Sequence, residues 1–322
     1  MNEFEFIESI KQPTYHQRGL IKGIGDDAAV FRESTEDIVT AVDTFVEGIH
    51  FSKATLDPYY IGYKVLAANV SDMAAMGAIP CYYLVSIVCP KAYPSDYYAM
   101  IFQGMRDFAS RYKMDVIGGD TVSGNELSIS VTVVGTVCQG KARYRHQAEQ
   151  GDIVFVTGTL GDSQAGLHIL ENQLDVKNRS HFIQKHQRPE PRVQFAKDMK
   201  NIKRLALNDI SDGIASEVNE IAQSSYVAIK LMASDLPTSP SLDQFPQHLK
   251  QKWVLYGGED FELVGTVSES DWEAVERAAA QSKISVTQIG YVRNKDTSDH
   301  YVYLVEDDHF TPLYKEGYTH LK

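Results

Sequence analysis

The 322 residues carry 43 acids against 31 bases, a formal charge of −12, with 43% hydrophobic and 10% aromatic residues. Such a chain can bury the cores of about two domains, is not a disordered composition, and lacks the basic balance that non-specific nucleic-acid binding needs. Its apolar stretches are too short and interrupted for a transmembrane helix, Met1–Phe6 lacks the basic flank and apolar run of a signal peptide, and Cys81, Cys89 and Cys138 form neither a metal pair nor a disulfide framework, so the expected compartment is the cytoplasm.

Ile38–Val42 is a β-branched run, read as a strand ending in Asp43. Asp57-Pro58 reads as a helix start, with Asp as N-cap and Pro in the first turn; Ile61, Val65, Leu66, Val70 and Met73 then recur at helical spacing up to Gly77. Cys81–Cys89 predicts a strand, Pro94-Ser95 opens a helix bearing Ile101, Met105 and Phe108, and Val116–Gly119 and Leu127–Val137 return to strand. After the polar stretch Gln139–Asp152, Ile153–Val156 predicts a buried strand running into Gly158-Thr159-Leu160-Gly161-Asp162 and a helix through Ala165, Leu167 and Leu170. Ser211-Asp212-Gly213 precedes a helix with Ile214, Val218 and Ile221. Leu236–Phe245 reads as a surface loop or lid; Trp253–Val267, Ile284–Val292 and Tyr301–Val305 read as strands, with a helix around Asp271–Ala280. The expectation is two α/β domains, residues 1–140 and 141–322.

Glycine recurs beside acids near strand ends: Gly23-Ile24-Gly25-Asp26-Asp27, Gly118-Gly119-Asp120-Thr121, Ser211-Asp212-Gly213 and Gly257-Gly258-Glu259-Asp260. Asp43 follows a strand, and Asp72 lies among small residues on an otherwise apolar helix face, three residues after Asn69. One such loop is ordinarily a turn, and a buried Asp can be held by hydrogen bonds alone. Four loops together suit another chemistry. Mg²⁺ takes hard oxygen ligands from a few carboxylates plus phosphate and water, and glycine lets backbone approach phosphate oxygens. No P-loop and no protein-kinase signature is present. Gly158–Gly161 fits either a phosphate at a helix N-terminus or a tight strand-to-helix turn.

Taken in order, Gly23–Ala29, Val42-Asp43-Thr44 with Glu47–Phe51, Asn69–Gly77, Gly118–Thr121, Val156–Ser163, Asp209–Gly213 and Gly257–Leu263 resemble the thiamine-monophosphate kinase family, within the aminoimidazole ribonucleotide synthetase superfamily. That resemblance covers nearly the whole chain. It implies an α/β (α+β) two-domain aminoimidazole ribonucleotide synthetase-like fold. Residues 1–140 would bind ATP and Mg²⁺ and pair into a dimeric β-barrel, and residues 141–322 would form a second α/β domain. The implied reaction is Mg²⁺-dependent, in-line transfer of the ATP γ-phosphoryl group to thiamine monophosphate in a cytoplasmic homodimer, with no nucleic-acid or membrane partner.

Carried over by motif, Asp27, Asp43, Asp72, Asp120, Asp209 and Asp212 would ligate several Mg²⁺ ions. Gly119, Asp120, Arg145 and Ser211 would contact ATP, and His50 and Glu259 the substrate. No side chain is assigned as a chemical catalyst. Where the family has hydroxyl residues before Asp43 this chain has Ala41 and Val42, leaving only main-chain oxygens, and the family's C-terminal aromatic contact has no assigned position in Leu313–Tyr318. The alternative is another ATP-cleaving member of the superfamily. Selenophosphate synthetase needs an N-terminal cysteine or selenocysteine, whereas the first cysteine here is Cys81. The hydrogenase-maturation relative ends in cysteine, whereas this sequence ends His320-Leu321-Lys322. A non-catalytic calcium- or nucleotide-binding module would show no substrate-dependent ATP turnover.

Overall fold

The computed structural model describes residues 14–22, 30–31, 35–295, 297, 299–307 and 309–316. Contacts divide the chain into two units, Met1–Met73 with Ala78–Ala142, and Ala74–Gly77 with Arg143–Lys322. Among the described residues no helix is long and apolar enough to cross a membrane.

In the first unit, a short antiparallel pair, β1 (Leu20–Lys22) and β2 (Val30–Phe31), precedes a four-stranded sheet. That sheet comprises β3 (Glu36–Val46), β4 (Ile79–Pro90), β5 (Asp115–Gly124) and β6 (Ser128–Cys138), ordered β3-β6-β4-β5. Strand β4 pairs parallel with β5, and the other pairs are antiparallel. Helix α1 (Pro58–Ala75) joins β3 to β4, and α2 (Ser95–Tyr112) makes the crossover that parallel β4 and β5 require.

Both helices bury their predicted apolar positions, Ile61 to Met73 and Ile101 to Phe108. They cross closely because they meet at glycines: a Cβ on Gly62 would lie 1.8 Å from the Ile101 carbonyl oxygen, and one on Gly104 1.9 Å from that of Tyr59. Strand β6 alternates strictly. Ile129, Val131 and Val133 are buried on the α1 side, whereas Ser130, Thr132, Val134 and Thr136 stand on a half-open face beside exposed Ile38 and Val42.

The second unit holds a seven-stranded sheet ordered β13-β12-β9-β11-β7-β10-β8. Its strands are β7 (Ile153–Thr157), β8 (Leu205–Asp209), β9 (Val227–Met232), β10 (Leu263–Val267), β11 (Val286–Asn294), β12 (Val302–Glu306) and β13 (His309–Pro312). Helices α3 (Asp162–Asn172), α4 (Arg179–Gln187), α5 (Val193–Asp198), α6 (Ile214–Ser225), α7 (Gln247–Tyr256) and α8 (Trp272–Ser282) intervene. Ile214, Val218 and Ile221 of α6 join Val156, Val264 and Ile229 of the sheet in one core. A second cluster gathers Ala165, Ile169, Phe182, Leu242 and Trp253.

Three expectations are corrected. Asp43 does not end its strand: β3 continues to Val46. Trp253–Val267 is not one strand, because Trp253 lies in α7, and the chain turns through Gly257–Glu262 before β10 begins. Residues 236–245 are not a loose lid. Leu242 is fully buried against α3, α4 and α7, the Leu160 N–H donates to the Pro237 carbonyl, and Ser239 Oγ donates to buried Asp162 at 2.6 Å.

Candidate functional site

In the first unit the Asp43 N–H donates to Asn69 Oδ1 at 3.0 Å. Asn69 is buried in α1, and its Nδ2 donates to the Val65 carbonyl at 2.9 Å. The helix amide thus fixes the strand at Asp43, whose carboxyl is pushed up by burial. Asp72 lies three residues beyond Asn69, on the same helix face and in the last turn of α1. It is half-buried rather than sealed in the core.

The sheet register aligns Asp43, Val131, Val85 and Gly119 in one row, and Thr44, Ser130, Ser86 and exposed Asp120 in the next. Asp43 and Asp120 therefore lie on opposite edges, three strand spacings or about 14 Å apart at the backbone. The His50 ring lies against Phe45, and its Nδ1 accepts the Val46 N–H at 3.0 Å. That bond places the imidazole proton on Nε2. Asp27 lies outside the described residues.

In the second unit the predicted residues converge around three groups that sequence reasoning missed: Asn208, Glu217 and Glu220. Asp209 ends β8 and is buried. Two turns of chain later, Glu217 in the first turn of α6 reaches back. Its Oε1 accepts the Asp212 N–H at 3.1 Å and the Ser211 hydroxyl at 3.3 Å. Its Oε2 accepts Asn208 Nδ2 at 2.6 Å. Arg145 Nε donates to Asn208 Oδ1 at 3.0 Å, and its guanidinium pairs with Glu220 at 3.0 Å. Burial pushes the Glu217 carboxyl up to about 8, with Asp209 and Glu220 adding negative charge. An acid in a first helical turn is so common that nothing in the sequence singled it out.

The loop after α7 is laced to this segment by backbone bonds. The Glu259 N–H donates to the Ser211 carbonyl at 2.8 Å, and the Phe261 N–H to that of Ile210 at 2.9 Å. Glu259 (φ 66°) and Phe261 (φ 48°) both adopt the left-handed conformation, at a cost of order 1–3 kcal/mol each. Gly258 permits the approach, since a Cβ there would lie 2.5 Å from the Ser211 carbonyl oxygen.

The loop's three acids have different partners. Asp260 accepts the Gly161 N–H at 2.8 Å, at the N-terminus of α3. Burial pushes its carboxyl up to about 8 against the pull of those amides. The Asp260 carboxyl thus takes the helix end that a phosphate would need, and Gly158–Gly161 serves as the tight turn. Glu262 is buried; burial raises its pKa, but Arg192, with Lys185 and Thr157, outweighs that and holds it below the ordinary value. Glu259 pairs with His186, and its side chain keeps 27% of its surface exposed.

Among the described residues no three His, Cys, Asp or Glu side chains are grouped closely enough to cage a metal. The second unit sets acids beside glycines and the Arg145 guanidinium, and carboxylate oxygens are the hard donors that Mg²⁺ takes.

Such a two-unit fold with acid–glycine loops is that of the AIR synthase related proteins: residues 25–137 match the N-terminal domain of that family, and residues 149–302 its C-terminal domain. A thiamine-monophosphate kinase of Bacillus subtilis (strain 168) is 45% identical over 329 residues, 100% of both chains. The crystal structure of thiamine-monophosphate kinase from Stenotrophomonas maltophilia K279a matches with a TM-score of 0.85 and 31% identity, covering 94% of this chain and 96% of that one. The structure of AaThiL complexed with AMPPCP and TMP matches with a TM-score of 0.78 and 30% identity, covering 93% and 92%. The chain belongs to the AIR synthase related family and, within it, to the thiamine-monophosphate kinases.

Proposed function

We propose that this protein transfers the γ-phosphoryl group of ATP to thiamine monophosphate, forming thiamine diphosphate. The observation that carries the reading is the hydrogen bond from the Glu259 amide to the Ser211 carbonyl. It fastens the substrate loop of the family pattern to the loop holding Ser211 and Asp212, in a chain that is 30% identical to a protein solved with AMPPCP and TMP.

Mg²⁺ fits the donors present. Asp43, Asp72, Asp120, Asp209 and Asp212 offer hard oxygens, and burial together with the Asp209 and Glu220 charges raises the Glu217 carboxyl in a corner that a cation would relieve. These residues, with Asp27, would hold the ions. When bound, the metal offsets repulsion between two polyanionic substrates. Arg145 would add a fixed charge for the ATP phosphates; Ser211, Gly119 and Asp120 are the further ATP contacts that the family pattern implies. The acceptor oxygen is already anionic at neutral pH, so no general base is needed. His50, with its proton on Nε2, is suited to donate a hydrogen bond to the substrate.

Residues 1–140 would form the ATP, metal and dimerisation domain and residues 141–322 the second α/β domain. The sheet face bearing Ile38 and Val42, with Val42 62% exposed, is the one we assign to pairing with a second copy. Sedimentation should give a dimer at micromolar concentration, and Val42→Glu should shift it toward monomer; a wild-type monomer would refute the pairing. Incubation with ATP, Mg²⁺ and a panel of phosphate-ester acceptors should yield thiamine diphosphate and ADP. Phosphorylation of another acceptor instead would move the protein to a different branch of the family.

A further inference from the structure

We infer that His186 is a positioning residue for Glu259, a role that rests on the substrate assignment of that carboxylate. Sequence reasoning passed over the segment Lys185–Arg192, yet it supplies basic side chains to the acid loop. Arg192 forms a forked pair with Glu262, Lys185 lies 3.8 Å from the same carboxylate, and His186 Nδ1 lies 3.5 Å from Glu259 Oε2. The first two fasten a buried acid and the loop's end. His186 meets the acid whose side chain keeps part of its surface open.

The imidazole cannot drift. His186 is 1% exposed, and α4 packs so tightly on α3 that a Cβ at Gly166 would lie 2.9 Å from the His186 Cβ. The backbone of Glu259 is equally constrained, by its left-handed φ and its bond to Ser211. With both anchors held, the Nδ1–Oε2 contact biases the Glu259 rotamer. A preset carboxylate spares the ordering cost of binding, which is felt in substrate affinity rather than in the chemical step.

Because Nδ1 makes the contact, the conservative replacement is Asn, whose amide nitrogen reaches the Nδ1 position; the Gln amide reaches nearer Nε2. Steady-state kinetics at saturating ATP are expected to show His186→Leu and His186→Gln raising KM for thiamine monophosphate about tenfold with kcat within about twofold of wild type. His186→Asn should recover most of that loss. In a Glu259→Gln background, His186→Leu should add little further. The inference is overturned if Glu259→Gln raises KM while His186→Leu leaves it unchanged, if the two effects multiply, or if Asn is no better than Gln. Should Glu259→Gln itself leave KM unchanged, the substrate assignment falls first and the role of His186 with it. If His186→Leu does not fold, the Asn and Gln pair decides the matter.

Discussion

Two corners of the molecule perform the same mechanical task with opposite electrostatics. In the first unit, buried Asn69 accepts the backbone N–H of Asp43; in the second, Glu217 accepts that of Asp212. Each is a helix side chain steadying the strand or turn that carries a candidate metal ligand. The amide does this without charge. The carboxyl does it in a corner that already has Asp209 and Glu220, and burial first, then those charges, displaces its protonation upward. Anchoring alone can therefore be neutral. A second buried acid makes the corner's stability depend on what positive charge sits nearby.

The largest effects should separate the metal-ligand candidates from the substrate carboxylate. Asp72→Asn and Asp212→Asn keep shape but remove charge, and each should lower kcat and kcat/KM together by about 10²-fold or more with an unchanged circular-dichroism spectrum. Glu259→Gln should instead raise KM for thiamine monophosphate. Near-normal turnover of Asp72→Asn at saturating Mg²⁺ would remove it from the metal set, and a fall in kcat alone for Glu259→Gln would move that residue into it.

The comparison sharpens with pH. Burial pushes the Glu217 carboxyl up to about 8 in the folded chain, against roughly 4.3 when unfolded. Between those values the folded state holds a proton that the unfolded state has released, so stability is fullest below the lower value and falls as pH rises toward 8. Denaturant unfolding without Mg²⁺ should show that decline, by up to a few kcal/mol, and Glu217→Gln should flatten it. An unflattened decline would assign the charge strain elsewhere.

Asn69→Ala should have the smallest effect. It strands the Asp43 N–H, costing about 1–3 kcal/mol, and the loss should be the same at pH 6 and pH 8. A pH-dependent loss would blur the contrast between the two corners.

These corners were unequally legible. Asp120 and Asp212 stood out in glycine–acid loops, Asp43 and Asp72 by their places on a strand and on a small-residue helix face, and Asp209 only through the family resemblance. Asn208, Glu217 and Glu220 did not, because their role arises only when α6 folds back over β8. Helix α4 was passed over for a related reason: Arg179–Gln187 buries only Phe182 and His186, too few apolar positions to show a period. Trp253–Tyr256 misled in the other direction, since a short apolar run does not distinguish helix from strand. The first unit's helices and β6 were plain because their periods of 3.6 and 2 were unbroken.

The order of the second sheet carries a consequence for the nascent chain. Strand β10 lies between β7 and β8 and is hydrogen-bonded to both. Until Leu263–Val267 leaves the ribosome, the two strands that lead into the Thr159–Gly161 turn and the Ser211–Gly213 loop have no common neighbour. At about 5–20 residues per second, that interval lasts seconds, with strand edges open and the acids of Asp209–Glu220 lacking the loop that braces them. A message broken between β9 and β10 would leave β7, β8 and β9 with no partners among one another, since each pairs only with β10, β11 or β12, and such a copy would be open to proteolysis.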